Sequence, residues 1–172
     1  MPDLDISVAE LLGHPGQFRD FHISPTLTDV GTALSRLTEA PIGGDLRAES
    51  VMEGILVTGG VDGVSVQECA RCLRRFDANL HLELCELFVA PGHEVPEDDD
   101  SYKVSGKEIH LEQMLRDAIA LALPLNPLCE ADCKGLCAVC GRNLNDGDCS
   151  CEVSTPDPRW APLEGLRQKL EN

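Results

Sequence analysis

Leu80-His81-Leu82-Glu83-Leu84 sets apolar against polar side chains at every second position. That period marks a strand with one buried face and one wet face. The texture runs on to Val89, and it recurs upstream in Leu46 to Glu53, Ile55 to Thr58 and Val61 to Val66. Gly54, Gly59-Gly60 and Asp62-Gly63 cut those segments and read as turns. Strands this close in sequence pair with their neighbours, so the region predicts an antiparallel sheet, open or curled into a partly open barrel.

Outward from the sheet, Leu111, Met114, Leu115, Ala118, Ile119 and Ala122 recur at the spacing of one helical stripe, and Pro124 ends the run. This amphipathic helix should pack on the sheet. Toward the N-terminus, Ile6 to Leu12 place apolar groups at helical spacing before Gly13 and Gly16, which predicts a short helix. Residues 91 to 106 hold Glu94, Glu97, Asp98, Asp99 and Asp100 with almost nothing to bury, and read as a mobile acidic loop. The expected class is α+β. The expected division is an α+β domain over residues 1–128, then a cysteine-rich segment over 129–172 with a short C-terminal helix.

The chain has 172 residues and a formal charge of −16, with 42% hydrophobic, 26% charged and only 3% aromatic residues. Such a composition supports a folded core of branched aliphatic side chains and rules out a surface coated in positive charge. No stretch reaches the roughly 18–20 apolar residues of a membrane span. The opening Met1-Pro2-Asp3-Leu4-Asp5 is acidic and lacks the features of a secretory signal, so a reducing cytoplasm is the expected compartment.

Nine cysteines are the unusual feature: Cys69-x2-Cys72, a lone Cys85, then Cys129-x3-Cys133-x3-Cys137-x2-Cys140-x8-Cys149-x-Cys151. In a reducing compartment, closely spaced pairs read as metal ligands before disulfides. Without Cys85, eight remain in four close pairs, enough for two closed tetrahedral zinc sites. Cys137 to Cys151 forms a compact unit with Gly135, Gly141 and Gly147 as turns, a zinc knuckle that one ion organises. Cys69 and Cys72 would join Cys129 and Cys133 on a second ion that clamps the sheet to the chain after the helix. Spacing alone also admits Cys129, Cys133, Cys137 and Cys140 on one ion, or a single site with idle thiols. Four thiolates suit iron as well as zinc. Cys85 reads as a small buried hydrophobe.

Enzymatic readings find little support. A redox Cys-x2-Cys should open a helix in a βαβ pattern, whereas Cys69 and Cys72 are flanked by strands. His81-x-Glu83 resembles part of a zinc-deaminase motif, but there the Cys-x2-Cys follows it, and here it precedes. Both side chains read as the wet face of a strand. No phosphate loop or nucleophile motif is present, so neither catalysis nor a small-molecule substrate is expected. Arg71, Arg74 and Arg75 form the densest basic cluster, with Arg142 and Arg159 nearer the C-terminus. A molecule at −16 binds phosphate poorly by charge alone, so any RNA contact would be local, through these arginines, or would go through a protein partner.

Cys69-Ala70-Arg71-Cys72-Leu73, Leu121 to Cys129, Cys133-Lys134-Gly135-Leu136-Cys137-Ala138-Val139-Cys140-Gly141-Arg142-Asn143-Leu144-Asn145 and Asp157-Pro158-Arg159 together resemble the YceD family. These are small bacterial and plastid proteins described as large ribosomal RNA subunit accumulation proteins. The resemblance covers roughly residues 46–170. It implies a non-enzymatic role in ribosome biogenesis, with precursor large-subunit ribosomal RNA or the assembling large subunit as partner, reached directly or through a basic ribosomal protein. Members that keep the early Cys-x-Arg-Cys pair but lack most late cysteines imply two separable sites, and so favour joining Cys69 and Cys72 to Cys129 and Cys133. A competing class is a cysteine-based redox switch or zinc-sensing chaperone that loses metal on oxidation.

Overall fold

The computed structural model describes residues 4–92 and 101–151, together with Arg159 and Leu163. The expected C-terminal helix and the acidic stretch 93–100 lie outside the described residues. The strands are β1 (Asp5–Ser7), β2 (Phe18–Ile23), β3 (Ser35–Leu37), β4 (Gly43–Ser50), β5 (Gly54–Glu68), β6 (Arg75–Val89), β7 (Tyr102–Lys103) and β8 (Glu108–His110). The helix α1 (Leu111–Ala122) follows. The main sheet is open and mixed, ordered β2-β4-β5-β6-β7, with β3 on β5 and a separate β1-β8 pair. Among the described residues every strand pairing is antiparallel except β6 with β7.

The alternation in β6 does what the sequence predicts. Leu80, Leu82 and Leu84 are buried while His81 and Glu83 are exposed. On the inner face, Ile23, Leu46, Val57 and Val61 share one core cluster with Leu111, Met114, Leu115 and Ile119 of α1. Those four helical residues have no exposed surface. Ala122 lies at the exposed end of the stripe. The N–H of Leu123 closes the last turn on the carbonyl of Ile119 at 3.0 Å before Pro124.

Gly59-Gly60 and Asp62-Gly63 are not turns but lie inside β5, which pairs continuously with β6 from Gly54 to Glu68. Gly59 has φ of +142°, and a Cβ there would overlap the carbonyl oxygen of Asp45 on β4. The glycine thus permits close approach of two strands, its other common use within a sheet. Gly60 sits on the open outer face, where a Cβ would meet only the side chains of His81 and Glu83, at 3.5 Å. Those two are indeed the wet face. His81 Nδ1 lies 2.8 Å from Asp62 and Nε2 3.2 Å from Glu83, and these carboxylates, Asp62 foremost, raise its pKa.

Residues 6–12 do not form a helix. Asp5, Ile6 and Ser7 pair with His110, Ile109 and Glu108, and only one helical turn follows, closed by Leu12 N–H on the Val8 carbonyl. Seven residues are too few to hold a helix against that pairing. At the far end of the expected acidic loop, Tyr102 is tied in rather than mobile. Its ring meets Phe88 with centroids 5.4 Å apart and its hydroxyl donates to Asp117 at 3.0 Å.

Gly59→Ala should lower the unfolding free energy by roughly 1–3 kcal/mol, and Gly60→Ala by about 0.5 kcal/mol or less. Urea denaturation of both variants checks this. Equal losses would contradict the assignment of Gly59 to the strand contact.

Candidate metal centres

Strands β5 and β6 meet in a tight turn. Cys69 N–H donates to the Arg74 carbonyl at 2.9 Å, Leu73 N–H to the Cys69 carbonyl at 2.9 Å, and Leu73 takes φ of +60°. Ala70 N–H reaches the Pro127 carbonyl at 2.8 Å, which stitches this turn to the chain that leaves α1. Cys69 and Cys72 thereby face Cys129 and Cys133. All four sulfurs lie within 4.8 Å of one another, with Cys69–Cys133 at 3.7 Å and Cys72–Cys129 at 3.6 Å. These separations are far from the ~2.05 Å of a disulfide. They match the ~3.8 Å edge of a sulfur tetrahedron around an ion with ~2.3 Å bonds, the zinc–thiolate length.

Cys69, Cys72 and Cys133 are buried, with Phe76, Leu128 and Leu136 packed around them. Gly135, at φ of +75°, comes so close to Arg71 that a Cβ would stand 3.2 Å from its carbonyl oxygen. A second tetrad follows at once: Cys137, Cys140, Cys149 and Cys151, again with all sulfurs within 4.8 Å. Here Cys140 is exposed and the other three are half-buried. A short hairpin shapes it, with Cys137 N–H on the Arg142 carbonyl at 2.8 Å, Gly141 N–H on the Cys137 carbonyl at 2.9 Å, and a bridge between Leu136 and Asn143.

The donor set fits a divalent ion on electrostatic grounds. Burial is the largest influence on Cys69 and opposes its ionisation, yet the backbone N–H groups of Cys129, Cys72 and Arg71 outweigh it and bring its pKa down to about 6. Burial, aided by the sulfurs of Cys72, Cys133 and Cys69, pushes Cys129 up to about 12. Cys72 is also raised: the Arg74 backbone N–H, its largest influence, favours the thiolate but yields to burial and to Cys69 and Cys133. In the second tetrad, the backbone N–H groups of Cys140 and Val139 bring Cys137 down to about 6, while Cys140 leads in pushing Cys151 up to about 12. Each tetrad therefore pairs a thiol that ionises readily with one that resists charge beside it, a resistance that a cation among the sulfurs would remove.

Of the five arginines singled out as candidate contacts, two attend the first tetrad. Arg71 donates to the Cys133 carbonyl at 2.9 Å, and Arg74 pairs with Glu130 at 3.0 Å. Arg75 lies 3.5 Å from Glu68 with its side chain 80% exposed. Arg142 and Arg159 are exposed, the first on the hairpin of the second tetrad. Cys85 is exposed on the outer face opposite Thr58, not buried. The strand's alternation, which puts Leu84 inward, dictates this. Asn143 and Asn145, which in the sequence stand only as part of a family motif, form an Asn-x-Asn pattern in a glycine-rich turn that signals side-chain bonds to local backbone. Asn143 accepts from Asn145 N–H at 3.0 Å, and Asn145 from Lys134 N–H at 2.8 Å.

A family model described as "Large ribosomal RNA subunit accumulation protein YceD" matches residues 57–167. An uncharacterized protein of Mycobacterium tuberculosis is 38% identical over 172 residues, covering 93% of this chain and 79% of that protein. An uncharacterized protein of Mycobacterium leprae is 39% identical over 151 residues, covering 83% of this chain and 67% of its own. The chloroplastic large ribosomal RNA subunit accumulation protein YCED homolog 1 of Arabidopsis thaliana is 33% identical over 75 residues, 44% of this chain and 23% of that protein. No solved structure matches the chain.

Thiolate fraction sets alkylation rate. In chelator-treated protein at pH 7, iodoacetamide should therefore modify Cys137 faster than Cys151, and the Cys137 rate should fall as pH drops through about 6. Peptide mapping by mass spectrometry reads both rates. Equal reactivity of the two would contradict the backbone N–H assignment.

Proposed function

The chain belongs to the YceD family, and from that premise we propose that it is a zinc-binding, non-enzymatic protein that supports accumulation of large-subunit ribosomal RNA and assembly of the large ribosomal subunit. One observation carries the reading: the span matched by the family model contains all eight cysteines of the two tetrads. The zinc assignment draws on four-sulfur donor sets with tetrahedral spacing, and the ligands proposed are Cys69, Cys72, Cys129 and Cys133, then Cys137, Cys140, Cys149 and Cys151. A closed all-sulfur shell leaves no open position at which a bound water or substrate is activated, which favours a structural role.

The proposed partner is precursor large-subunit ribosomal RNA or the assembling subunit. At −16, broad phosphate contact is opposed. Contact therefore falls to Arg71, Arg74, Arg75, Arg142 and Arg159, or to a basic ribosomal protein that meets the acidic surface. The bonds of Arg71 to the Cys133 carbonyl and of Arg74 to Glu130 hold both guanidinium groups beside the first tetrad, and Arg74 keeps half its side chain exposed. Free thiols suit the cytoplasm, the proposed compartment. No helix among the described residues is long and apolar enough to cross a membrane. The exposed Cys140 favours a second reading for the later tetrad alone, a thiol switch. Mild peroxide would then release its metal and form disulfides, and unreactive thiols in the folded protein would remove that reading.

Depletion of the protein should lower large-subunit relative to small-subunit ribosomal RNA, and a Cys72→Ser copy should fail to restore it. Unchanged RNA ratios and subunit profiles after depletion would overturn the proposal.

A further inference from the structure

Asn145 lies in the loop between Cys140 and Cys149, so it belongs by sequence to the second tetrad. Its side chain nonetheless turns back to the first. The amide nitrogen lies 3.2 Å from Cys133 Sγ and 2.8 Å from Asn143 Oδ1, while the amide oxygen accepts Lys134 N–H at 2.8 Å. Both amide hydrogens and the oxygen are thus engaged. A flipped amide would set oxygen against the Asn143 oxygen and hydrogens against a backbone N–H, so the bonding itself fixes which end faces the sulfur.

We propose that Asn145 couples the two metal sites: an ion held by Cys137, Cys140, Cys149 and Cys151 closes the loop that presents Asn145, and the Asn145 amide steadies Cys133 as a thiolate ligand of the first ion. This inference rests on the reading of both tetrads as metal sites. Asn145 acts as a positioning residue, since an N–H bond to a ligand sulfur offsets its negative charge and holds its orientation. Partners of this outer kind are commonly worth ten- to a hundredfold in metal affinity. The connecting chain is short and braced. Only Lys134, Gly135 and Leu136 separate Cys133 from Cys137, Leu144 N–H donates to the Gly135 carbonyl at 2.9 Å, and Gly135 packs on Arg71. Coupling of binding is reciprocal, so an ion in the first site tightens the second by the same factor.

The full chain, stripped of metal, is titrated with zinc and with cobalt(II) against a competing chelator, while native mass spectrometry counts bound ions. Asn145→Ala and the pair Cys140→Ser with Cys149→Ser should each weaken the first site about tenfold. The combined variant should be no weaker than either, because both changes break one link. The sulfur-to-cobalt charge-transfer band should also move in Asn145→Ala while two ions remain bound, a change that loosened packing alone does not produce. Two bound ions with unchanged first-site affinity in Asn145→Ala, or losses that add, would overturn the coupling and leave the metal reading standing. A wild-type chain that binds no ion would overturn both, and that titration precedes any variant.

Discussion

Four sulfurs held within 4.8 Å of one another in a buried pocket cannot all carry charge unless a cation sits among them, and the first tetrad imposes that constraint on the whole chain. Its two halves come from places far apart in sequence, the β5–β6 turn and the segment after α1. With Ala70 bonded to Pro127 and Cys69 facing Cys133, the exit of the helix is tied to the tip of the longest hairpin. The apolar cluster places α1 on the inner face of the sheet, and the tetrad fixes where the chain goes next. Apolar packing and the cysteine tetrad therefore divide the work.

The two tetrads differ in kind. The first joins distant segments and lies under Phe76, Leu128 and Leu136, so its opening would expose both thiols and apolar surface. The second is local, spanning Cys137 to Cys151, and its Cys140 meets solvent. Local ligand sets need little chain entropy to close, whereas distant ones gain more from an ion that closes a long loop. Stability should depend chiefly on the first, and ready exchange with solvent belongs to the second. Arg71 and Arg74 offset charge where the first tetrad concentrates it, bonded to the Cys133 carbonyl and Glu130.

Much of this was legible in the sequence because the signals are local. Strand alternation places Leu80, Leu82 and Leu84 by covalent geometry alone, and the α1 stripe is equally direct. Cysteine pairs two to four residues apart can present sulfurs together, so the eight candidate ligands and their favoured partition were legible, while spacing alone left a second partition open until the fold brought Cys69 and Cys72 to Cys129 and Cys133. Gly59-Gly60 misled because a glycine needed for the approach of β4 looks the same as one needed for a turn. Ile6 misled because its partner, Ile109, lies more than a hundred residues away. Residue type alone would bury Cys85, whereas the strand's own period exposes it. The contact of Asn145 with Cys133 was invisible in the sequence because it arises only when the two tetrads fold side by side.

Native mass spectrometry of the chain purified without chelator, with elemental analysis of the bound metal, tests the central claim most directly when repeated on Cys72→Ser and Cys140→Ser. Two zinc ions per wild-type chain, with each substitution abolishing a different one, is the predicted result. A chain that carries no metal, or a single ion lost only in Cys140→Ser with Cys69 and Cys72 left as free thiols, would contradict the account of the first tetrad as the clamp between sheet and helix.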